Sequence, residues 1–397
     1  MNSNALNTHH LTDDTANTLL DARSSNERHV LSLIRQHGSL SKSDIAQHTG
    51  LSAQSASVII KKLEEDKLVT ALKAEKSEAP VKKKGQPKVP FSLNNNGAFG
   101  IGLKIGRRSY DMTLLDLAGQ VRASVHEKIS YPTVDSFLEF VTRVYRVAVN
   151  KIGERYVNRI QGIGVAMPSH IWQWSKEVNA PQDALAEWDH FDLQNALFTQ
   201  YALPVFILND AAAACNAELS FGNTAQHKSF LYVFVGTFLG GGVVINNSLI
   251  KGKSGNAGAI GSLPLLDSAT NGQLMSKGSL YVLSQMLEDN NENSDHIYDD
   301  ASLWSCSEEV LSKWCSQTGE SIAFAAHCAT CFLDLDGVII DGAIPASVKL
   351  HILEATQQAM LKQDTRGTTP AQFSSGVVGV KAQSIGSASF PLSANYF

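Results

Sequence analysis

The chain has 397 residues, of which 43% are hydrophobic, 8% aromatic and 18% charged. At about 150 residues per domain, that length predicts two or three domains, each able to bury a core. Disorder throughout is excluded by the hydrophobic content, and no run of about 18 apolar residues occurs to span a membrane. Formal charge is -5 overall but uneven: residues 1–95 carry 13 Lys and Arg against 10 Asp and Glu, the remainder 20 against 28. Such asymmetry points to a basic module that binds a polyanion, attached to an acidic body.

The opening MNSNALNTHHLTDDTANTLL has no basic region followed by an apolar one. It is expected to be a mobile tail over 1–24, not a secretory signal. Five scattered cysteines are too few for a disulfide scaffold and fit a reducing cytoplasm. The pair Cys328 and Cys331 lies in the apolar run IAFAAHCATCFLDL with no second pair. It reads as small buried side chains on a core helix rather than a zinc or redox site.

Three helical patterns come first. In ERHVLSLIRQH, Val30, Leu31, Leu33 and Ile34 share an apolar face, and Gly38 is a natural stop. Ser41 is placed to cap KSDIAQHT, with Asp44 three residues on in a variant capping box. Gly50 ends that helix and Ser52 can cap the next, about Ala53 to Asp66. There Ala56, Ile59, Ile60 and Leu63 form one buried stripe, while Gln54, Ser55, Ser57, Lys61 and Lys62 lie opposite. This is helix-turn-helix spacing. Val69 to Ala71 starts a hairpin, and the charged stretch to Pro90 reads as a wing plus linker.

From Ala98 the pattern changes to strands: FGIGLKI, SYDMTLLD and QVRASVHEKIS, then a helix from Val134 to Asn150 and the buried strand IQGIGVAM. PVFIL runs into a helix beginning at NDAAAA. A second set begins at SFLYVFVGT, continues through GGGVVINN and SLIKGKSG, and ends in helices and the strand GVIID. The repeated order predicts two α/β lobes facing each other across a cleft.

Six segments in this order resemble the ROK family (repressors, open reading frames and sugar kinases), in its repressor branch: SKSDIAQHTGLSAQSASVIIKKLEEDKLV, KGQPKVPFSLN, GIGLKIGRRSYDMTLLDLAGQV, LNDAAAACNAE, VFVGTFLGGGVVINNSLIKGKSGNAGAIGSLPL and FLDLDGVIIDGAIP. The resemblance implies an N-terminal winged helix-turn-helix followed by a two-lobed actin-like (ribonuclease-H-like) body. The expected division is 25–95 for the DNA-binding domain and linker, 96–212 with about 380–397 for the first lobe, and 213–379 for the second.

Against the family pattern, several chemical groups are missing. The Asp-x-Gly-x-Thr phosphate hairpin falls on Lys104, Gly106 and Arg108, so the metal-organising acid becomes a cation. The second phosphate loop keeps Gly236, Thr237, Gly240, Gly241 and Gly242, which strand geometry explains equally well. Asn209 and Asp210 match the family's asparagine and catalytic aspartate. In a non-kinase that carboxylate accepts a hydrogen bond from the ligand, and a bare helix cap is the alternative role. The sugar motif Glu-x-Gly-His becomes Ala259, Ile260, Gly261 and Ser262, and a later glutamate becomes Tyr281. Losing three polar contacts, at about 1–3 kcal/mol per unpartnered hydroxyl, disfavours an ordinary hexose. Asn179 is a possible effector contact and Trp188 an apolar wall. The zinc positions fall on Ser262, Gly272, Leu274 and Ser279, which offer no soft ligand, so no metal is expected.

For DNA, Gln54 and Ser55 suit base edges, and Lys61 and Lys62 suit phosphates, with Ser57 on the same face. Ser41 and Lys42, at the amide end of their helix, can clamp a backbone phosphate. Gln86 replaces the arginine of the family's linker motif and lacks its charge, so that minor-groove contact is expected either to weaken or to shift to Lys84 and Lys88.

The sequence thus predicts a cytoplasmic, non-enzymatic regulator without catalytic residues or cofactor. It would repress carbohydrate uptake or catabolism genes and bind pseudo-palindromic duplex DNA as a homodimer or homotetramer. Its kinase-dead body would sense a sugar or polyol. The alternatives are an ATP-using sugar kinase, or a ligand-free repressor that uses the fold only to oligomerise.

Overall fold

The computed structural model describes residues 23–72, 88–177, 180, 181, 183–222, 224, 226–265, 272–299 and 304–397. The N-terminal head has three helices, α1 (Ser25–His37), α2 (Lys42–Thr49) and α3 (Ala53–Glu65), and strands β1 (Leu40–Ser41), β2 (Val69–Ala71) and β3 (Pro90–Leu93). The caps follow the sequence. Ser41 and Asp44 form a reciprocal capping box, Gly50 ends α2 in the left-handed region, and the Ser52 side chain accepts from the Ser55 amide. Ala56, Ile60 and Leu63 are fully buried, and Ile59 is half-buried.

The small sheet has the order β1-β3-β2. Its register pairs Val69 with Leu93 and Ala71 with Phe91. The stretch read as wing plus linker therefore connects two strands of one hairpin rather than tethering the head to the body. Antiparallel pairing of β2 with β3 forces that outcome.

The first lobe contains β4 (Phe99–Ile105), β5 (Ser109–Asp116), β6 (Val121–Lys128), α4 (Val134–Ile152), β7 (Ile160–Met167), α5 (Leu193–Tyr201) and β8 (Val205–Asn209). After α6 (Asp210–Phe221) the second lobe contains β9 (Phe230–Val235), β10 (Leu239–Ile245), β11 (Ser248–Ile250), α7 (Leu280–Asp289), α8 (Glu308–Leu333), β12 (Gly337–Gly342), α9 (Ala346–Met360) and β13 (Gln372–Ser375). The sheets have matching orders, β6-β5-β4-β7-β8 and β11-β10-β9-β12-β13. In each, an antiparallel meander is extended by two parallel strands. The long helix α4 buries Phe137, Phe140, Val141 and Val144 against the first sheet.

The last helix, α10 (Ala382–Tyr396), lies against β4, β7 and α6. Its approach requires missing side chains. A Cβ on Gly102 would sit 2.0 Å from the Ser384 carbonyl oxygen, and one on Gly386 would sit 1.7 Å from that of Ala213. Small residues here bring backbones together, and buried hydrogen bonds from Asn216 to Gly386 (3.1 Å) and Ser389 (2.9 Å) fix the packing.

Two side-chain expectations change. Cys331 is exposed and Cys328 half-buried, because the last turn of α8 runs past the core, as the exposed Phe332 beside them shows. Trp188 is a core residue of the first lobe, donating to the Pro132 carbonyl at 2.9 Å, and does not line the cleft.

Candidate DNA-binding face and inter-lobe cleft

On the head, the outer face of α3 presents Gln54, Ser55, Lys61 and Lys62 to solvent, with Ser57 half-buried on its flank. Between them lies Val58, 62% exposed, which sequence reasoning did not single out. It sits on the side opposite Ala56 and Ile60, so helical geometry alone could have found it. The Lys62 ammonium reaches Glu27 of α1 at 2.6 Å, while Lys61 makes only a long intrahelical pair with Glu65 at 3.7 Å. Lys88 pairs with Asp44 at 2.9 Å. The Asp44 carboxyl is lowered to about 2, chiefly by the Ser41 hydroxyl and then by Lys88. Lys42 is half-buried, its ammonium 5.6 Å from the Phe91 ring. Ser41 is buried, and its hydroxyl donates to Asp44 at 2.6 Å, so it caps a helix and is not displayed to a phosphate. Lys84, Gln86 and Asn179 lie outside the described residues.

The head is not an appendage. Val30, Leu31, Ile60 and Leu63 share one apolar cluster with Leu115 and Leu117 of the first lobe and Ala388, Leu392 and Tyr396 of α10. Arg28 of α1 donates to the backbone oxygens of Ser393 (3.2 Å) and Phe397 (3.0 Å), and Arg35 lies over the Phe397 ring at 3.9 Å. Arg159 of the first lobe donates to the carbonyls of Asp66 (3.2 Å) and Gly97 (2.8 Å).

Between the lobes lies a cleft of about 830 Å³. Asn209 ends β8 and caps α6, accepting from the amides of Ala211 and Ala212. Its Nδ2 donates to Ser169 at 3.0 Å, and Ser169 donates to Asn256 of the second lobe at 3.1 Å. The cap is therefore Asn209. Asp210 accepts from the Ala211 amide through Oδ1, and Oδ2 faces Arg107 at 3.9 Å.

Arg107 was not anticipated, although two consecutive arginines follow the glycine of the first hairpin. Its guanidinium lies 4.0 Å from the Phe238 ring, across the cleft, and Phe238 contacts Trp174 and Tyr281. Burial lowers its pKa to about 10, against the opposing pull of Asp210 and Glu177. Lys104 pairs with Asp111 at 2.9 Å, and His126 contacts the other Asp111 oxygen at 2.6 Å. Burial raises the Asp111 carboxyl, but Lys104 and His126 outweigh it and hold it well below the usual carboxylate range. Arg108 lies 4.9 Å from the Tyr298 ring.

A model of the ROK family matches residues 100–390, well over half the chain. The chain is a ROK family member. A winged helix-turn-helix DNA-binding model matches residues 23–70 of this ROK protein. Among curated relatives, a xylose repressor of Bacillus spizizenii is 26% identical over 248 residues, 60% of each chain. The transcriptional dual regulator NagC of Escherichia coli is 24% identical over 242 residues, 60% of this chain and 57% of its own. The chain thus matches about 60% of the length of these relatives. A crystal structure of a ROK transcriptional regulator, described as a homologue of the E. coli MLC protein, superposes with a TM-score of 0.65 at 19% identity. That match covers 93% of this chain and 96% of the other. A ROK glucokinase from Streptomyces griseus, solved with glucose and AMPPNP, gives 0.57 at 19% identity, over 73% and 98%. These superpositions establish the fold: a winged head on an actin-like body.

Two groups that the ROK fold implies do not fit the residues present. Metal-bound nucleotide lacks its organising acid, since Lys104 occupies that position and is paired. The glycines of the second loop serve packing: a Cβ on Gly240 or Gly242 would lie 2.8 or 2.5 Å from Ala211 or Cys215 of α6. The carbonyls of Gly236 and Thr237 accept from the first amides of α7. Zinc has no donor set, because the four matching positions are Ser262, Gly272, Leu274 and Ser279, and Ser279 caps α7. Among the described residues, no group of three or more His, Cys, Asp or Glu could hold a metal, and no helix is long and apolar enough to cross a membrane.

Proposed function

We propose that the protein is a DNA-binding transcriptional regulator that represses carbohydrate uptake or catabolism genes, with the inter-lobe cleft as its effector site. The observation that carries this reading is the path of α10. Its first turns, at Gln383 and Ser384, line the cleft, and its last residues hold Arg28 and Arg35 of the head. A ligand that repositions α10 therefore acts directly on the helix that packs behind α3. The named relatives are a xylose repressor and a transcriptional regulator, which supports the same reading. On it, residues 25–95 read DNA, and the lobes at 96–212 with 380–397 and at 213–379 hold the effector. Gln54, Ser55 and Val58 face bases, with Val58 suited to a thymine methyl, and Lys61 faces a phosphate. Lys42, Lys84, Gln86 and Lys88 reach the flanking backbone, and Asn179, Asn209 and Asp210 meet the effector. A homodimer or homotetramer would read pseudo-palindromic sites in the cytoplasm.

The test is selection of bound duplexes from a random pool by the purified full chain, followed by titration of the winner against salt. A two-fold symmetric site whose affinity falls steeply with salt is expected. Failure to enrich any sequence refutes the regulator. ATP-dependent phosphorylation of a sugar, abolished by Asp210→Asn, replaces it with a kinase.

A further inference from the structure

Charge in the cleft runs opposite to the body around it. Residues 96–397 carry 20 Lys and Arg against 28 Asp and Glu. Yet the cleft is lined by five cationic side chains and three carboxylates, Asp111, Asp210 and Asp299. Two of those carboxylates are taken: Asp111 by Lys104 and His126, and Asp299 by Lys128. That leaves Arg107, Arg108 and Lys381 with Asp210 as the one remaining carboxylate of the lining, while Glu177 also acts on Arg107. Asp210 stands 3.9 Å from Arg107, beyond the 2.7–2.9 Å typical of a charge-assisted hydrogen bond. Arg107 Nε is buried with no hydrogen-bond partner among the described residues. Lys381 is exposed and makes no ion pair among them. It stands at the start of α10, directly after a short 3-10 turn (Gly379–Lys381) whose Gly379 carbonyl accepts from the Ala382 amide. An orphaned guanidinium nitrogen and two further cations thus line a space large enough for a sugar-sized molecule.

We propose that the effector is a sugar-derived anion, a polyhydroxylated body carrying a carboxylate or a phosphate, rather than a neutral sugar or polyol. Arg107 grips the anionic group through Nε and its fork, displacing its long contact with Asp210. Arg108 and Lys381 supply the remaining charge. Asp210, released from Arg107, accepts hydroxyls of the polyol body. This rests on the cleft being the effector site and deepens that reading.

Thermal unfolding of the full-length protein is followed with millimolar glucose, glucuronate, gluconate, glucose 6-phosphate, inorganic phosphate or magnesium ATP. At least one anionic sugar raises the midpoint dose-dependently while glucose does not. The carboxylate and phosphate arms identify the anionic group. Arg107→Gln weakens the effective anion by about tenfold or more, and the exposed Lys381→Gln, which leaves the fold untouched, weakens it severalfold. The inference is overturned if no anionic sugar stabilises the protein, or if glucose is equally effective. It is also overturned if only magnesium ATP or inorganic phosphate acts, or if neither substitution changes the response. DNA selection is scored separately. A protein that enriches a site but ignores anionic sugars refutes this inference alone, and one that binds them but enriches no DNA refutes the regulator.

Discussion

Replacing Gly386 by alanine sets two effects of known size against each other. Glycine inside a helix costs about 1 kcal/mol relative to alanine, so helix propensity alone predicts a more stable protein. The structure predicts the reverse. The new Cβ would lie 1.7 Å from the Ala213 oxygen, 2.6 Å from its carbon and 3.1 Å from the Ala217 nitrogen. Ordinary C···O contacts begin at about 3.3 Å, so α10 and α6 must part by roughly 1.5 Å. The obstacle is backbone, and no rotamer change relieves it. Parting the helices stretches both buried Asn216 hydrogen bonds, at about 1 kcal/mol each, on top of about 1–3 kcal/mol for overpacking. Net of propensity, a loss of about 2–4 kcal/mol is expected. Urea unfolding followed by circular dichroism and tryptophan fluorescence measures it as a shift in midpoint at unchanged slope. A midpoint equal to or above that of the unaltered protein refutes the claim that backbone proximity dictates the small residues of α10.

Three further outcomes follow from individual contacts. Arg28→Ala removes the bonds to Ser393 and Phe397. It is expected to cost about 1–3 kcal/mol and to speed amide exchange in α1 but not in α4, and equal exchange in α1 would show the contact to be idle. Lys61→Gln should lower the slope of log affinity against log salt by about 1 and leave the selected DNA sequence unchanged, whereas a changed sequence would place Lys61 on a base. Asp111 is held ionised below its ordinary range by Lys104 and His126, so the folded form binds its proton less readily than the unfolded one. That stabilisation is complete above about pH 4 and is lost as pH falls further. Asp111→Asn should flatten the acid limb of stability against pH, and an acid limb matching that of the unaltered protein would show that the pair contributes nothing.

The strands were legible because they combine complete burial with clear punctuation. The segment IQGIGVAM is β7 residue for residue, and SYDMTLLD is β5. The capping residues of the head were legible because a cap is a local device. Helix α10 was not, since AQSIGSASFPLSANY contains Pro391 and a run of serines and glycine with no amphipathic stripe. It is packed along most of its length, and small residues rather than large apolar ones fill its surroundings. The role of Ser41 was half-read: its cap was visible in the spacing, but its burial comes from strand pairing with β3. Arg107 escaped because Asp210 lies far from it in sequence and Phe238 is brought to it only from the opposite lobe. Spacing along one segment cannot report a contact made across a cleft.

That contact bears on whether the cleft suits a metal-bound nucleotide. A phosphotransferase cleft needs carboxylates free to organise a metal and its nucleotide. Here all three cleft carboxylates face a cation of the same chain within 3.9 Å: Asp111 with Lys104, Asp299 with Lys128, and Asp210 with Arg107. A divalent ion would have to displace a lysine or an arginine at each. The replacement at Lys104 is therefore one part of a rearranged charge set in which the protein's own cations occupy the metal's electrostatic role. Arg107 goes further, because it rests on the aromatic ring of the opposite lobe and so ties the spacing of the lobes to whatever competes for its guanidinium. On the proposed reading, an anion that takes Arg107 changes that spacing. Helix α10, which lines the same cleft at Gln383 and Ser384, ends on the head at Arg28 and Arg35, so that reading couples the cleft to the head.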